Sequence, residues 1–187
     1  MHDSPLTRSP RVTHKTWIVN AHCTLACERL AIELHAAFGT IDQPVDPYVV
    51  AKSIGLTILR LPACTGLRGD AINLHPRLRG RERTTECATE VARYVIGHFP
   101  TRLGLQSVHA PRILGANILM PRDRFLADVQ RTGADPAALY DLYPYCTLDL
   151  IGLRVGAVTA TAAAPWLTLA RCLPDKTHAP LSTAVDF

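Results

Sequence analysis

Residues 82–98 form the stretch ERTTECATEVARYVIGH. Its pattern is strongly helical, and Pro100 and Gly104 predict where the helix closes. Side chains three or four positions apart lie on the same side of a helix. Thr89 and Arg93 are therefore predicted to share a face, and Glu90 and Arg93 are close enough to form an ion pair.

The segments on either side of this helix alternate in type. On the N-terminal side, helices are predicted over residues 17–38 and 47–53, followed by a strand over 56–61 and two short extended pieces around Gly66 and Gly69. On the C-terminal side, only helices are predicted, over residues 113–120, 122–133, 136–143 and 147–161. This order predicts an α+β fold, mostly helical, with a small three-stranded antiparallel or mixed sheet.

Composition and length predict one globular domain. The 187 residues are 48% hydrophobic and 19% charged, which is enough to build a core. We expect a flexible arm over residues 1–15, a domain over 16–165 and a C-terminal extension over 166–187. The net charge of +4 permits an acidic or nucleic-acid partner without requiring one.

Localisation is predicted from what the sequence does not contain. The first fifteen residues are polar and include two prolines, which is unlike a signal peptide. The longest weakly polar run, residues 151–170, is interrupted by Arg154 and Pro165, so it is a poor membrane span. The six cysteines form no CxxC pair, and we expect them to be reduced. We therefore predict a cytoplasmic protein with no membrane partner.

Two segments together resemble the ImmA/IrrE family of zinc metallopeptidases. Residues 72–98 are similar to the family's strand ending in Asn, its Arg-rich loop and its zinc-binding helix. Residues 116–121, ANILMP, with Phe125, are similar to a helix end of the family. Residues 46–61 and the pair Leu153-Arg154 agree more weakly. The resemblance covers about residues 20–160 and implies a metallopeptidase-like domain.

The resemblance also implies where zinc ligands would be found. In an H-E-x-x-H helix two histidines bind the ion and the Glu activates water. Here those positions hold Thr89, Glu90 and Arg93, so only the general-base position is retained. The third, acidic ligand falls on Ala110, or beside it on His109 if the register slips by one. Thr is a poor zinc ligand and Arg repels the ion, so we predict a catalytically silent site without a metal cofactor.

Two other metal sites deserve comparison with this interpretation. Glu86, Glu90 and His109 could assemble a relocated site, but a solvent-facing Glu86 and a small core residue at Cys87 are the simpler interpretation. His22, Cys23 and Cys27 could share an ion, whereas ordinary core cysteines beside a surface histidine are favoured. No recognised ligand spacing supports the first set, and the second set would need a fourth ligand or a water molecule.

Four arginines alternate before the Glu90 helix, at Arg77, Arg79, Arg81 and Arg83. In an extended segment they would lie on one side and form a positive patch that could bind a partner. A solvated loop is favoured over this, and aromatic residues are not interleaved as stacking on single-stranded nucleic acid would require.

The resemblance implies a non-catalytic binding or regulatory protein, a pseudo-peptidase that recognises a protein partner. A helix-turn-helix repressor is the candidate, since active family members cut or inactivate such proteins. Two alternatives stay open. One is a hydrolase or other enzyme with a site rebuilt around Glu90, with zinc as its cofactor if a metal is used. The other is a nucleic-acid-binding protein that uses the arginines at 77–83.

Overall fold

The computed structural model describes residues 21–40, 43–98 and 107–162, which form seven helices and three strands. The helices are α1 (Ala21–Ala37), α2 (Pro47–Ser53), α3 (Gly80–His98), α4 (Ala110–Leu119), α5 (Arg122–Thr132), α6 (Pro136–Leu142) and α7 (Leu148–Ala162). The strands are β1 (Thr57–Leu59), β2 (Gly66–Arg68) and β3 (Ala71–Asn73). The predicted α+β class is confirmed. The predicted arm at 1–15, the C-terminal extension, and Pro100 and Gly104 lie outside the described residues.

The strands form one mixed sheet in the order β1-β3-β2. β1 runs parallel to β3, and β2 runs antiparallel to β3 with Leu67 opposite Ile72. Gly69 makes the tight turn between β2 and β3 with a φ of 55°, a conformation that favours glycine. Of the two sheet types that were predicted, the mixed one is present, and β2 lies at its edge.

Local capping signals set several helix boundaries where they were predicted. The Asp46 side chain accepts a hydrogen bond from the Tyr48 N–H at 2.9 Å, and Asp135 does the same for Ala137 at 3.0 Å. A proline follows each of these caps and supplies the helical φ of the first turn. Gly133 ends α5 with a φ of 66°. The predicted helices at 47–53, 122–133 and 136–143 are confirmed.

Helix α4 is the centre of the core, and all of its residues except Arg112 are buried. It packs against α1, α3 and α7. The crossing with α3 is close, because a Cβ at Gly115 would lie 3.1 Å from the backbone carbonyl atoms of Ala88. This close packing fixes α3, the helix that carries Glu90. The structure starts α4 at Ala110, three residues before the predicted position.

A buried ion pair connects α1 and α7. Arg154 of α7 and Glu28 of α1 are fully enclosed and make two hydrogen bonds, one of them from Nη2 to Oε2 at 3.2 Å. Nη2 of Arg154 also donates to the Met120 carbonyl at 3.2 Å, and Arg122 approaches Glu28 at 3.4 Å. These contacts join α1, α7 and the turn between α4 and α5.

Within the described ranges, no helix has both the length and the apolar character needed to span a bilayer.

Candidate functional site

Glu90 lies in the middle of α3, and its carboxylate is fully engaged by neighbouring donors. Oε2 accepts a hydrogen bond from the Leu67 N–H at 3.0 Å and another from Nε of Arg93 at 3.0 Å. Oε1 accepts a longer one from Nη2 of Arg93 at 3.4 Å. The carboxylate therefore connects α3 to β2, and the predicted pairing with Arg93 is present.

The Leu67 N–H is free to reach Glu90 because β2 is an edge strand. Its ladder partner β3 lies on one side, and the N–H points to the other side, toward α3. A buried backbone donor without an acceptor is costly, so Glu90 satisfies a group that the sheet leaves over. This contact aligns the sheet edge with the helix that carries the site.

The ion pair is asymmetric in exposure. The Glu90 side chain is 6% exposed, whereas that of Arg93 is 53% exposed. Only the carboxylate of the pair is occluded, because the long arginine side chain extends to the surface while its guanidinium stays on Glu90. The site therefore reaches solvent through Arg93.

Thr89 occupies the first histidine position of the motif, but its hydroxyl is directed back along the helix. The side chain is buried, and Oγ1 donates to the Thr85 carbonyl at 2.9 Å. Such a bond to the preceding turn is common for threonine inside a helix. The hydroxyl is thus committed to the helix backbone.

The position predicted for a third ligand lies against a different helix. Ala110 is fully buried at the start of α4, and its carbonyl accepts a hydrogen bond from the Cys27 thiol of α1 at 3.6 Å. His109 precedes it and is exposed. A methyl group supplies no lone pair, so Ala110 contributes packing between α1 and α4.

Glu86 lies one turn before Glu90, and it is half-buried where a solvent-facing side chain was expected. Burial raises its pKa above the usual value, and the charge of Glu90 adds to this, while Arg112 and Arg93 oppose it. Cys87 beside it is a core residue as expected, and burial raises its pKa to about 12. α3 and α4 thus bring two carboxylates and two guanidinium groups into electrostatic contact.

The two alternative metal sites are not assembled in the part of the chain that the structure describes. There, no three or more His, Cys, Asp or Glu side chains converge closely enough to hold an ion. Cys23 and Cys27 are both buried on α1, as core cysteines were expected to be. Hydrogen bonds from Cys27 and Ser107 lower the pKa of Cys23 to about 7, although burial acts in the opposite direction.

Asn73 is a positioning residue whose role was not predicted. It is buried at the end of β3, and its Oδ1 accepts a hydrogen bond from the Leu61 N–H at 2.9 Å. Its amide nitrogen lies within hydrogen-bonding distance of three carbonyl oxygens in the segment before β2, those of Leu61, Ala63 and Cys64. Asn73 therefore shapes the connection that places Leu67 over Glu90. The only signal in the sequence is an Asn at the strand end in the family-like motif.

No family model, no curated protein and no solved structure matches this chain. The site must therefore be judged on its own geometry.

The four arginines do not form the predicted one-sided extended patch. α3 begins at Gly80, so Arg81 and Arg83 lie within the helix, and that prediction is wrong for them. Nη1 of Arg81 donates to the Tyr140 carbonyl at 2.8 Å, and its guanidinium lies 3.5 Å from the centre of the Tyr140 ring. These contacts with α6 stabilise the first turn of α3. Only Arg77 and Arg79 remain exposed in the loop.

Proposed function

We propose that the protein is a non-catalytic, partner-binding protein built on a scaffold that resembles the ImmA/IrrE metallopeptidases. The observation that carries the proposal is the state of Glu90, whose carboxylate accepts hydrogen bonds from Leu67 and Arg93. A general base must be within reach of the proton that it removes. Glu90 instead supports the edge strand and neutralises a guanidinium.

The residues around Glu90 support the same interpretation through their chemistry. The Thr89 hydroxyl is bound to its own helix, and Arg93 supplies a permanent positive charge four residues away. A zinc ion needs lone pairs from deprotonated ligands, and a neighbouring guanidinium repels it. The Arg93 charge balances Glu90 in the position where a metal ion would do so in the active enzymes.

The partner is proposed to be a protein, with a helix-turn-helix repressor as the first candidate. Arg93 is the half-exposed group of the site, and its guanidinium is the part of the ion pair that a partner protein can contact. A partner that contacts this region with an acidic side chain would engage the exposed face of Arg93.

The experiment compares Arg93→Ala with a matched control. Arg131 in α5 is 66% exposed and pairs at 2.7 Å with Asp128, three residues before it, so Arg131→Ala removes a similar ion pair at another place. We would measure the affinity of parent and variants for purified repressors and for a displayed peptide library. The proposal expects Arg93→Ala to weaken binding selectively.

The decisive contrary result is enzymatic. Zinc-dependent cleavage of a repressor or peptide by the parent protein, lost in Glu90→Gln, would replace this proposal with a peptidase. Equal binding by the Arg93 and Arg131 variants would remove the Glu90 region from partner recognition.

A rebuilt acid–base site is the second candidate, and the raised pKa of Glu86 favours it. Two carboxylates one helical turn apart in different environments are the kind of pair that can divide proton donation and acceptance. We would assay ester and peptide hydrolysis by the parent, Glu86→Gln and Glu90→Gln. Turnover that is lost in both variants, with folding intact, would support this alternative.

The nucleic-acid alternative has less support, because Arg81 is held by Tyr140 and only Arg77 and Arg79 remain exposed in the loop. Salt-sensitive DNA or RNA retention that is lost in an Arg77→Ala/Arg79→Ala variant would favour it. Arg81→Ala is not a suitable probe because it also removes a packing contact.

A further inference from the structure

A cavity of about 310 Å³ lies away from Glu90, between α1, the end of α4 and the start of α5. Its polar lining comprises Glu28, His35, Asn117, Arg122 and Asp123. Its apolar lining is Ala31, Ile32, Ala36 and Pro121. A volume of this size is at the lower end of those that hold small molecules and suits a ligand with a single ring.

Asn117 is the unusual residue of this cavity. It is 1% exposed, and neither its amide nitrogen nor its amide oxygen has a hydrogen-bond partner among the described residues. Buried side-chain amides are nearly always paired, because both a donor and an acceptor lose their water on burial. Here both functions of one group are left over, side by side, at the wall of a cavity.

His35 and Glu28, two of the polar residues that line the cavity with Asn117, are already committed elsewhere. The two ring nitrogens of His35 face carbonyl oxygens, Nδ1 that of Thr40 at 3.0 Å and Nε2 that of Asn117 itself at 3.2 Å. Glu28 is taken by Arg154 and Arg122. The neighbouring side chains therefore hold the wall of the cavity in place and leave the Asn117 amide to a ligand.

We propose that this cavity binds a small molecule that presents an amide edge, with one N–H donor beside one C=O acceptor, on an apolar body. The donor would pair with Oδ1 of Asn117 and the acceptor with its Nδ2, which is the complement that a carboxamide or lactam offers. Ile32, Ala36 and Pro121 would cover the apolar body. This site is independent of the function proposed for Glu90, because it shares no residue with that region.

Both amide atoms are covered from solvent, so a ligand reaches them only when a neighbouring side chain moves. Ile32 lines the cavity and is 43% exposed, so its side chain can turn toward solvent at little cost. It is also the position where the cavity can be blocked without touching Asn117.

The test uses the full chain and simple probes in calorimetry and ligand-observed NMR. Benzamide and 2-pyrrolidone carry the amide edge, benzoate lacks the donor and toluene lacks both groups. We expect benzamide to bind weakly, in about the millimolar range for so small a molecule. Benzoate and toluene should bind about tenfold more weakly or not at all.

Three variants complete the test. Asn117→Leu removes both amide functions at similar volume and should abolish the preference for benzamide over toluene. Ile32→Trp should fill the cavity and block every probe. Val49→Trp, at a position of α2 that is 51% exposed, is the matched control and should bind like the parent. Since Ile32 is also exposed, its variant should fold even if Asn117→Leu does not.

A further comparison distinguishes the two possible sources of the amide group, a free metabolite and a glutamine side chain of a bound protein. A free metabolite predicts that benzamide or the lactam binds better than N-acetylglutamine methylamide, and a glutamine of a bound protein predicts the reverse. Equal binding of toluene and benzamide to the parent would overturn the proposal, as would unchanged benzamide binding in Ile32→Trp.

Discussion

The backbone N–H of Leu67 in β2 donates to Oε2 of Glu90 in α3 at 3.0 Å, and this single bond joins the edge of the sheet to the helix that carries the site. The same oxygen accepts Nε of Arg93. A carboxylate in this arrangement has a structural role, and we expect its replacement to lower the stability of the fold.

Glu90→Gln is expected to cost about 1–2 kcal/mol of unfolding free energy. The amide oxygen can take the place of Oε2 and accept from both Leu67 and Arg93, but the negative charge is lost and the amide N–H groups then face Nη2 of Arg93. Urea denaturation measures the loss. Glu33→Gln, which breaks the Arg29–Glu33 pair of α1, is the control and should cost less than about 0.5 kcal/mol, because the Glu33 side chain is 29% exposed. A Glu90→Gln variant as stable as the parent would show that the negative charge of Glu90 contributes little to stability.

Glu86→Gln should stabilise the fold at neutral pH, whereas Glu90→Gln should destabilise it. Burial raises the folded-state pKa of Glu86 above its usual value of 4.5. The folded state therefore binds the proton of the Glu86 carboxyl group more tightly than the unfolded state does. This tighter binding adds to the free energy of unfolding below pH 4.5, and the contribution is lost as the pH rises through the folded-state pKa. The free energy of unfolding of the Glu86→Gln variant should therefore increase relative to that of the parent as the pH rises above 4.5. Denaturation at several pH values tests this, with the exposed Glu82→Gln as control. A difference that does not vary with pH would contradict it.

Zinc binding should be difficult to restore at Ala110. This residue is fully buried against Cys27, so Ala110→Glu would bury a carboxylate and destabilise the fold by several kcal/mol. We would add it to Thr89→His/Arg93→His and compare zinc affinity by chelator competition. Val108→Glu, at an exposed position, is the matched addition. If the Ala110 variant folds normally and binds zinc more tightly than the double variant, the third ligand was placed correctly.

Arg154 and Glu28 should be strongly coupled. Arg154→Met leaves a buried carboxylate with Arg122 as its remaining ion-pair partner among the described residues, and Glu28→Met leaves a buried guanidinium, so each should cost about 3–5 kcal/mol. The double variant Glu28→Met/Arg154→Met should lose much less than the sum, since no fully buried charge is left unpaired and Arg122, whose side chain is 17% exposed, still reaches solvent. A double-mutant cycle in urea measures the coupling. Strictly additive losses would mean that the two side chains act independently.

Cys23 should be alkylated with an unusual pH dependence. Its hydrogen bond with Cys27 lowers its pKa to about 7 from the usual 9.0, so its thiolate should appear near pH 7 in the folded protein. Iodoacetamide labelling followed by peptide mapping gives the profile of each cysteine. Cys27→Ala removes the hydrogen bond and should shift the midpoint upward. An unchanged midpoint would assign the shift to Ser107.

Local signals in the sequence are enough to predict most of the helices and several of their boundaries. Asp46-Pro47 and Asp135-Pro136 start helices, and Gly133 ends one, through contacts that span only two to five residues. The Glu90–Arg93 pair belongs to the same class, because three positions along a helix bring the side chains together whatever surrounds them. Information of this kind is local and can be read from spacing.

The contacts between side chains and groups that are distant in the sequence depend on the tertiary structure. Leu67 reaches Glu90 across 23 positions, Arg81 packs on Tyr140 across 59, and Arg154 finds Glu28 across 126. The prediction of an extended arginine patch was wrong because the contact with Tyr140, which no spacing reveals, holds Arg81 in a helix. The unpaired amide of Asn117 likewise exists only because α1, α4 and α5 enclose it. Burial and pairing depend on how helices pack, and packing is decided by the whole chain at once.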